Sequence, residues 1–573
     1  MKKNLFPSLL LLLVLCFASC NSRQVELKIV ATSDVHGNFY PYDFIRDVPA
    51  DGSLSRVQTY LKAQRRRLHD RLLYVDGGDI LQGQPTAYYY NTVAVGEPHL
   101  AAQMLNYMGC CMAALGNHDV ETGGQTYQNY ILDCDFPVLG ANIVFEGTDE
   151  CFLPPYKVVE RKGVRIAFLG MTTPAIPNWL PRELWRGLEF DDMQQCARYW
   201  VDYIREHEHP DLLVGLFHSG REGGIVTDDY AENASLALAR DVPGFDAVVF
   251  GHDHQACCDS VTNVEGRTVY LVNPAADARM VGELDIRFDR RTRTATLRPA
   301  LVSVTELEPD AAFLATFADQ QQEVKDYVGK RIGTFTTGIS TEDAFFGPSA
   351  FMDFIHRMQL DITGAQVSLA APLSFHAVLP EGDVFVRDMF NLYKYENQLY
   401  LMELTGREIL GHLEMSYDLW TNQMTSSDDD LLAFADGQGP KGSRLKNIYY
   451  NFDSAAGIRY EVDVTKPAGE RVRILSMADG TPFDLDATYR VAVNSYRGNG
   501  GGELLTRGAG IPQQQLSSRI LYSTEADLRY YLLNYIEVRD TVTPVCLDQW
   551  RFVPESLTVP AAARDRQRLF PDR

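Results

Sequence analysis

Five short apolar runs in the first half of the chain each end in a cluster of cation-binding groups, and this constrains the fold more than any other feature. Val25–Ala31 leads into Ser33-Asp34-Val35-His36-Gly37-Asn38, Leu72–Val75 into Asp76-Gly77-Gly78-Asp79, and Met112–Leu115 into Gly116-Asn117-His118-Asp119. Leu212–Phe217 leads into His218-Ser219-Gly220, and Ala247–Phe250 into Gly251-His252-Asp253-His254. Short runs of this kind read as buried strands. Helix-like segments, for example Ser53–Leu68 and Asp191–Glu208, fall between several of them. Alternating strand and helix predicts an α/β layered domain whose ligands collect at the strand C-termini.

The candidate donors are Asp34, His36, Asp79, Asn117, His218, His252 and His254. Carboxylate, imidazole and amide oxygen together suit borderline divalent ions of the Mn, Zn, Co or Fe type. A cysteine-based zinc site is not expected, because the vicinal pairs Cys110-Cys111 and Cys257-Cys258 lack the CxxC spacing. Seven donors are too many for one ion. They suit two ions sharing a bridging carboxylate, the arrangement that clamps an in-line phosphoryl displacement. Any one of these residues alone reads as a structural histidine or a turn; five strand ends finishing alike do not.

The 53 Lys+Arg against 76 Asp+Glu leave a formal charge of -23. An acidic surface repels polyanions, which excludes broad binding of nucleic-acid polymers. A small phosphate ester remains possible where metal ions reverse the field locally.

In this order, Asp34-x-His36, Gly78-Asp79, Gly116-Asn117-His118-Asp119, His218 and Gly251-His252-Asp253-His254 resemble the five blocks of the calcineurin-like metallophosphoesterases. The resemblance implies that Asp34, His36, Asp79 and His254 hold one ion. Asp79, Asn117, His218 and His252 would hold the other, with His118 as the catalytic histidine. That family's nucleotidases place an Asp three residues after the histidine to orient it. Here the position is Glu121, which would have to pair with His118 from a longer reach, or leave that role to solvent.

The second half resembles the C-terminal domain of the bacterial 5′-nucleotidase family in Tyr395–Tyr400, Leu404–Glu408, Gly457–Gly469 and Val493–Gly502. The resemblance implies a domain that stacks the nucleobase between two aromatics, matched here by Phe452 and Tyr496, and that rotates to deliver the substrate. Ser368–His376 (SLAAPLSFH) lacks the arginine of the 5′-nucleotidase block. With Leu413–Ser416, Asn451–Asp453 and Asn494–Arg497 it resembles the 2′,3′-cyclic-nucleotide 2′-phosphodiesterase/3′-nucleotidase branch. The expected activity is opening of 2′,3′-cyclic nucleotides and removal of 3′-phosphate. The alternatives are a 5′-nucleotidase or UDP-sugar hydrolase, and a non-enzymatic lipoprotein that binds nucleotide or metal.

The N-terminus (MKKNLFPSLLLLLVLCFASC) has the charged start and short apolar run of a secretory signal. Phe17-Ala18-Ser19-Cys20 resembles a bacterial lipobox, so Cys20 is expected to be lipidated on an exported, periplasmic or surface, monomeric protein. The expected organisation is a signal peptide over 1–20, a dimetal α/β sandwich over 25–308, a linker helix over 309–330, a nucleotide-specificity α/β domain over 331–553, and a frayed tail over 554–573.

Overall fold

The computed structural model describes residues 23–437 and 444–571. The expected signal peptide and Cys20 lie outside the described residues. The described chain divides into two compact units. The first runs to Gln321, and the second from Gln322, with the short segments Phe44–Arg46 and Pro177–Arg182 grouping with the second.

The first unit is built on two six-stranded sheets. In one, Gln24–Thr32, Leu72–Asp76 and Cys110–Ala114 are parallel neighbours. In the other, Val164–Thr172, Leu212–His218 and Ala247–Phe250 are parallel neighbours. Ile29, Leu73, Val75 and Met112 from the first sheet pack with Ile166, Phe168, Val214, Leu216 and Val249 from the second in one buried cluster. The outer face of the second sheet is covered by the helices Met193–His207 and Ser235–Asp241 through Val201, Ile204 and Leu238. Burial on both faces explains why these strands are continuously apolar; each such Val, Leu or Ile contributes about 1.5–3 kcal/mol. Ser53 caps the helix Leu54–Leu68 by accepting from Arg56 N, and Asp192 caps Met193–His207 by accepting from Gln195 N. Parallel strands joined by such crossovers deliver their C-terminal loops to one edge, and all five polar clusters are there.

The second unit centres on a five-stranded sheet ordered Ser454–Ala456, Val367–Ala370, Thr488–Asn494, Gln398–Thr405, Ile520–Asp527. The helix Gly406–Trp420 starts with a capping box between Thr405 and Glu408 and contributes Leu413, Tyr417 and Trp420 to a core shared with Phe452, Tyr460, Trp550 and Phe552.

Two expected elements differ. The 309–330 connector is two helices, Ala311–Thr316 and Ala318–Val328, broken at the buried Phe317. The described part of the expected frayed tail, 554–571, is ordered: Glu555–Leu569 is a helix whose Thr558, Ala561, Asp565 and Leu569 are buried at helical spacing. Asp565 Oδ2 accepts from Leu432 N at 2.8 Å, and the guanidinium groups of Arg566 and Arg568 lie over the rings of Phe346 and Phe434. The arginines that make this segment read as a tail bury their stems on aromatics and keep their charges outward.

Candidate metal centre

Five of the seven expected donors leave the end of their strand in an unusual backbone conformation. Asp34, His36, Asp79, His252 and His254 all have positive φ, from 48° to 78°. A non-glycine residue held there costs about 1–3 kcal/mol and persists only where its surroundings over-determine it. Hydrogen bonds between the loops do this: Asp34 N to Gly78 O (2.9 Å), His36 N to Asp79 O (3.0 Å) and His252 N to the Asp34 carboxylate (3.1 Å). Gly116 and Gly251 complete the closure, because a Cβ at either would collide with the carboxylates of Asp79 and Asp34 respectively.

The result is two donor groups sharing one residue. Asp34, His36, Asp79 and His254 form the first, and Asp79, His218 and His252 the second, each with ligand atoms within 4.8 Å of one another. Asn117 joins the second group, its Oδ1 3.2 Å from His218 Nε2. All seven expected donors therefore meet, and Asp79 stands between the two sets.

The tautomers are set by backbone carbonyls. His36 Nδ1 donates to Gln82 O (3.1 Å) and His218 Nδ1 to Gly77 O (2.8 Å), so in both rings Nε2 faces the cluster. Burial pushes His36 down to about 4, leaving its Nε2 an unprotonated donor 3.0 Å from Nε2 of His254. Burial also opposes charge on His218, but the Asp79 carboxylate outweighs it and raises His218 to about 10. Asp79 itself is buried, yet His218, His118 and His36 hold it well below the usual carboxylate range. His218 Nε2 comes within 3.0 Å of Asp79 Oδ2, but its hydrogen bond is directed to Asn117, and Asp79 Oδ2 accepts none. A buried carboxylate oxygen that accepts no hydrogen bond and is ringed by imidazoles fits a bound cation. The donor set fits two divalent ions on the same grounds.

His118 sits beside the cluster, its ring 5.5 Å from that of His36. Glu121 does reach it: Glu121 Oε2 accepts from His118 Nδ1 at 2.5 Å, one helical turn along Asn117–Glu121. Burial opposes charge on His118, but Asp79 and Glu121 raise it to about 9.

Two carboxylates that sequence reasoning did not assign to the site support it. Asp119 turns away from the cations' place and accepts four backbone N–H groups, from Asp79, Ile80, Leu81 and Gly116, at 2.8–2.9 Å. It thereby locks the loop that presents Asp79. Glu232, on the hairpin after His218, places Oε1 3.1 Å from His252 Nε2. Asp119 was legible only as part of its block, and nothing in the sequence around Glu232 marks it.

In the second unit the structure separates the two residues of the expected base-stacking pair. Phe452 is fully buried, its ring stacked on Trp420 (5.4 Å, 8°) within the core, so it is unable to meet a base. Tyr496 is half-buried. Its ring is 6.1 Å from that of Tyr450, which is also half-buried. The three short segments singled out in the sequence interlock here. Arg497 donates to both oxygens of Asp453 (2.8 and 2.9 Å), to Asn451 Oδ1 and to Tyr450 O, and Ser416 Oγ donates to Asp453 O. His412 Nε2 adds a further contact to Asp453 at 2.8 Å. Phe452→Ala is expected to cost about 3–5 kcal/mol of stability by leaving a cavity against Trp420. Tyr450→Ala should leave stability nearly unchanged, and thermal melts of the two variants check this.

Residues 27–256 match the model of the calcineurin-like phosphoesterase family, and residues 331–507 that of the 5′-nucleotidase C-terminal domain. A 2′,3′-cyclic-nucleotide 2′-phosphodiesterase/3′-nucleotidase from Haemophilus influenzae is 26% identical over 93% of this chain and 88% of its own length. The trifunctional nucleotide phosphoesterase protein YfkN of Bacillus subtilis is 25% identical over 93% of this chain, which spans 39% of that relative's length. A crystal structure of a putative 5′-nucleotidase from Staphylococcus aureus has the same fold, with a TM-score of 0.77 at 21% identity over 92% of this chain and 100% of its own. With a shared carboxylate between two imidazole-rich donor sets in one unit and the nucleotidase domain in the other, the chain belongs to the calcineurin-like metallophosphoesterases that carry a 5′-nucleotidase C-terminal domain.

Proposed function

We propose that the chain is an exported two-cation phosphohydrolase that opens 2′,3′-cyclic nucleotides and removes phosphate from the 3′-nucleotides formed. The observation that carries this reading is Asp79, buried between two donor sets with one oxygen unsatisfied. Asp34, His36, Asp79 and His254 would hold one ion and Asp79, Asn117, His218 and His252 the other. Bound there, divalent cations would lower the pKa of an attacking water and draw charge from the phosphoryl oxygens.

The chain's own groups do the rest. Glu121 holds His118 Nδ1, which leaves the Nε2 proton of the imidazolium free to pass to the leaving ribose oxygen as its bond to phosphorus breaks. The same donor serves both steps, since each expels a ribose hydroxyl. Asp119 keeps Asp79 in place, and Glu232 orients His252.

The base packs against Tyr496 and its neighbour Tyr450, whose rings meet at 86° and so offer a corner in place of the expected sandwich between Phe452 and Tyr496. Stacking tolerates any base, because every base has a π-face. Arg497 ties the two tyrosine-bearing segments together. Tyr450→Ala should therefore raise KM with little change in kcat. The charged, short-apolar N-terminus supports export, and the lipobox-like Phe17–Cys20 supports acylation of Cys20.

Substrate choice is supported by the arginine-free Ser368–His376 block and by the name of the Haemophilus influenzae relative. Purified protein assayed with Mn, Zn, Co or Mg on 2′,3′-cyclic AMP, 3′-AMP, 5′-AMP and UDP-glucose tests it. Turnover of the first two is expected, with loss of activity on chelation. Exclusive turnover of 5′-AMP would assign the chain to the 5′-nucleotidases instead.

A further inference from the structure

The first unit has a second distinctive face, at the end of its sheets away from the metal centre. A cleft of about 580 Å³ there is lined by His69, Asp70, Arg71, Lys162 and Arg290 together with the start of the Gln24–Thr32 strand. A helix end, two turns and the first described residue converge on it. Residues 65–71 read RRRLHDR, 161–163 read RKG, and 289–293 read DRRTR. With Arg23 these segments hold ten Lys and Arg against two Asp, in a chain whose overall balance is 53 against 76. Glu160 and Asp211 border the face, the latter buried under Arg293, and the local balance stays positive.

These basic segments form one continuous surface. Arg290 N donates to Arg23 O (3.0 Å), Arg290 Nη2 to Lys162 O (2.5 Å), Lys162 pairs with Asp70 (2.7 Å) and Arg23 with Asp289 (2.7 Å). Arg66, Arg67, Lys162 and Arg291 are exposed. Topology fixes where the surface lies. Arg23 precedes the strand that leads to Asp34, and 65–71 precede the strand that leads to Asp79. A nine-residue strand separates the two ends by about 30 Å.

We propose that this face seats on an anionic lipid surface, with its arginines and Lys162 against headgroup phosphates and the metal centre turned to the aqueous side. Cys20 lies three positions before Arg23, so acylation there would press this same face to the membrane. A lipid chain and a basic patch together hold more firmly than either alone. The proposal draws on the export reading above and is independent of the nucleotide chemistry.

The test is cosedimentation of the chain from Asn21 onward, which retains every described residue, with phosphatidylcholine vesicles and with vesicles containing phosphatidylglycerol. Binding to the anionic vesicles alone, weakened by salt, is expected. Combining Arg67→Glu, Lys162→Glu and Arg291→Glu should weaken that binding by about 100-fold. Hydrolysis of a nucleotide substrate should be unchanged in this variant, which shows that it is folded. Equal binding to both vesicle types, or undiminished binding by the triple variant, would overturn the proposal. So would capture of a single-stranded oligonucleotide without capture of vesicles, which would assign the face to nucleic acid. Loss of nucleotide hydrolysis in the parent would count against the proposed activity and leave the vesicle result standing.

Discussion

Asp79→Ala is expected to empty both cation sites and to lower kcat/KM by at least about ten-thousand-fold. Among the described residues Asp79 is the one common to both donor sets, so its substitution reaches both. Each cation contributes several kcal/mol of transition-state stabilisation, and every 1.4 kcal/mol is tenfold. The carboxylate also accepts from His118 N at 2.8 Å, so its loss frees the loop carrying the proton donor. Stability should fall far less than activity. Removing Asp79 also removes a buried charge and an unsatisfied oxygen, which offsets part of the lost contacts. Metal analysis by atomic emission, set beside turnover, is the measurement. A variant that retained two ions per chain would refute the bridging role.

His118→Ala should behave differently, and the contrast is the sharper test of the site. The imidazole is not among the donors, and its ring edge lies beside His36. Metal content and melting temperature should therefore stay near the parent's. Turnover should fall roughly 100- to 10,000-fold, the usual contribution of a positioned proton donor. The deficit should shrink for a substrate whose leaving group needs no proton, such as a nitrophenyl ester. An equal deficit on both substrates would mean that His118 acts by stabilising phosphoryl charge.

Much of the site was legible in the sequence because two packed sheets of parallel strands have a simple geometric consequence. Every parallel strand ends at the same edge, so polar residues that follow apolar runs are neighbours whatever their separation along the chain. His36 and His254 stand 218 residues apart in sequence and 3.0 Å apart at Nε2. The reach of Glu121 was not legible. It depends on residues 117–121 forming a helical turn, which puts positions three apart on one face. Phe452 and Tyr450 show the opposite failure. In Tyr449-Tyr450-Asn451-Phe452 three of the four residues are aromatic, and only packing against Trp420 decides which ring faces inward. The C-terminal helix was misread for a related reason: its buried stripe is Thr, Ala, Asp and Leu, too weakly apolar to stand out among arginines.

By itself the sequence determined which atoms could bind cations and in what order the strands deliver them, because residue type and strand ends are local properties. Only the tertiary structure decided which oxygen accepts no hydrogen bond, which nitrogen of His36 and His218 faces the cluster, and which aromatic ring of 449–452 is buried in the core. Those outcomes depend on carbonyls and rings contributed from distant parts of the chain, and they take shape only when the two sheets and the second core close.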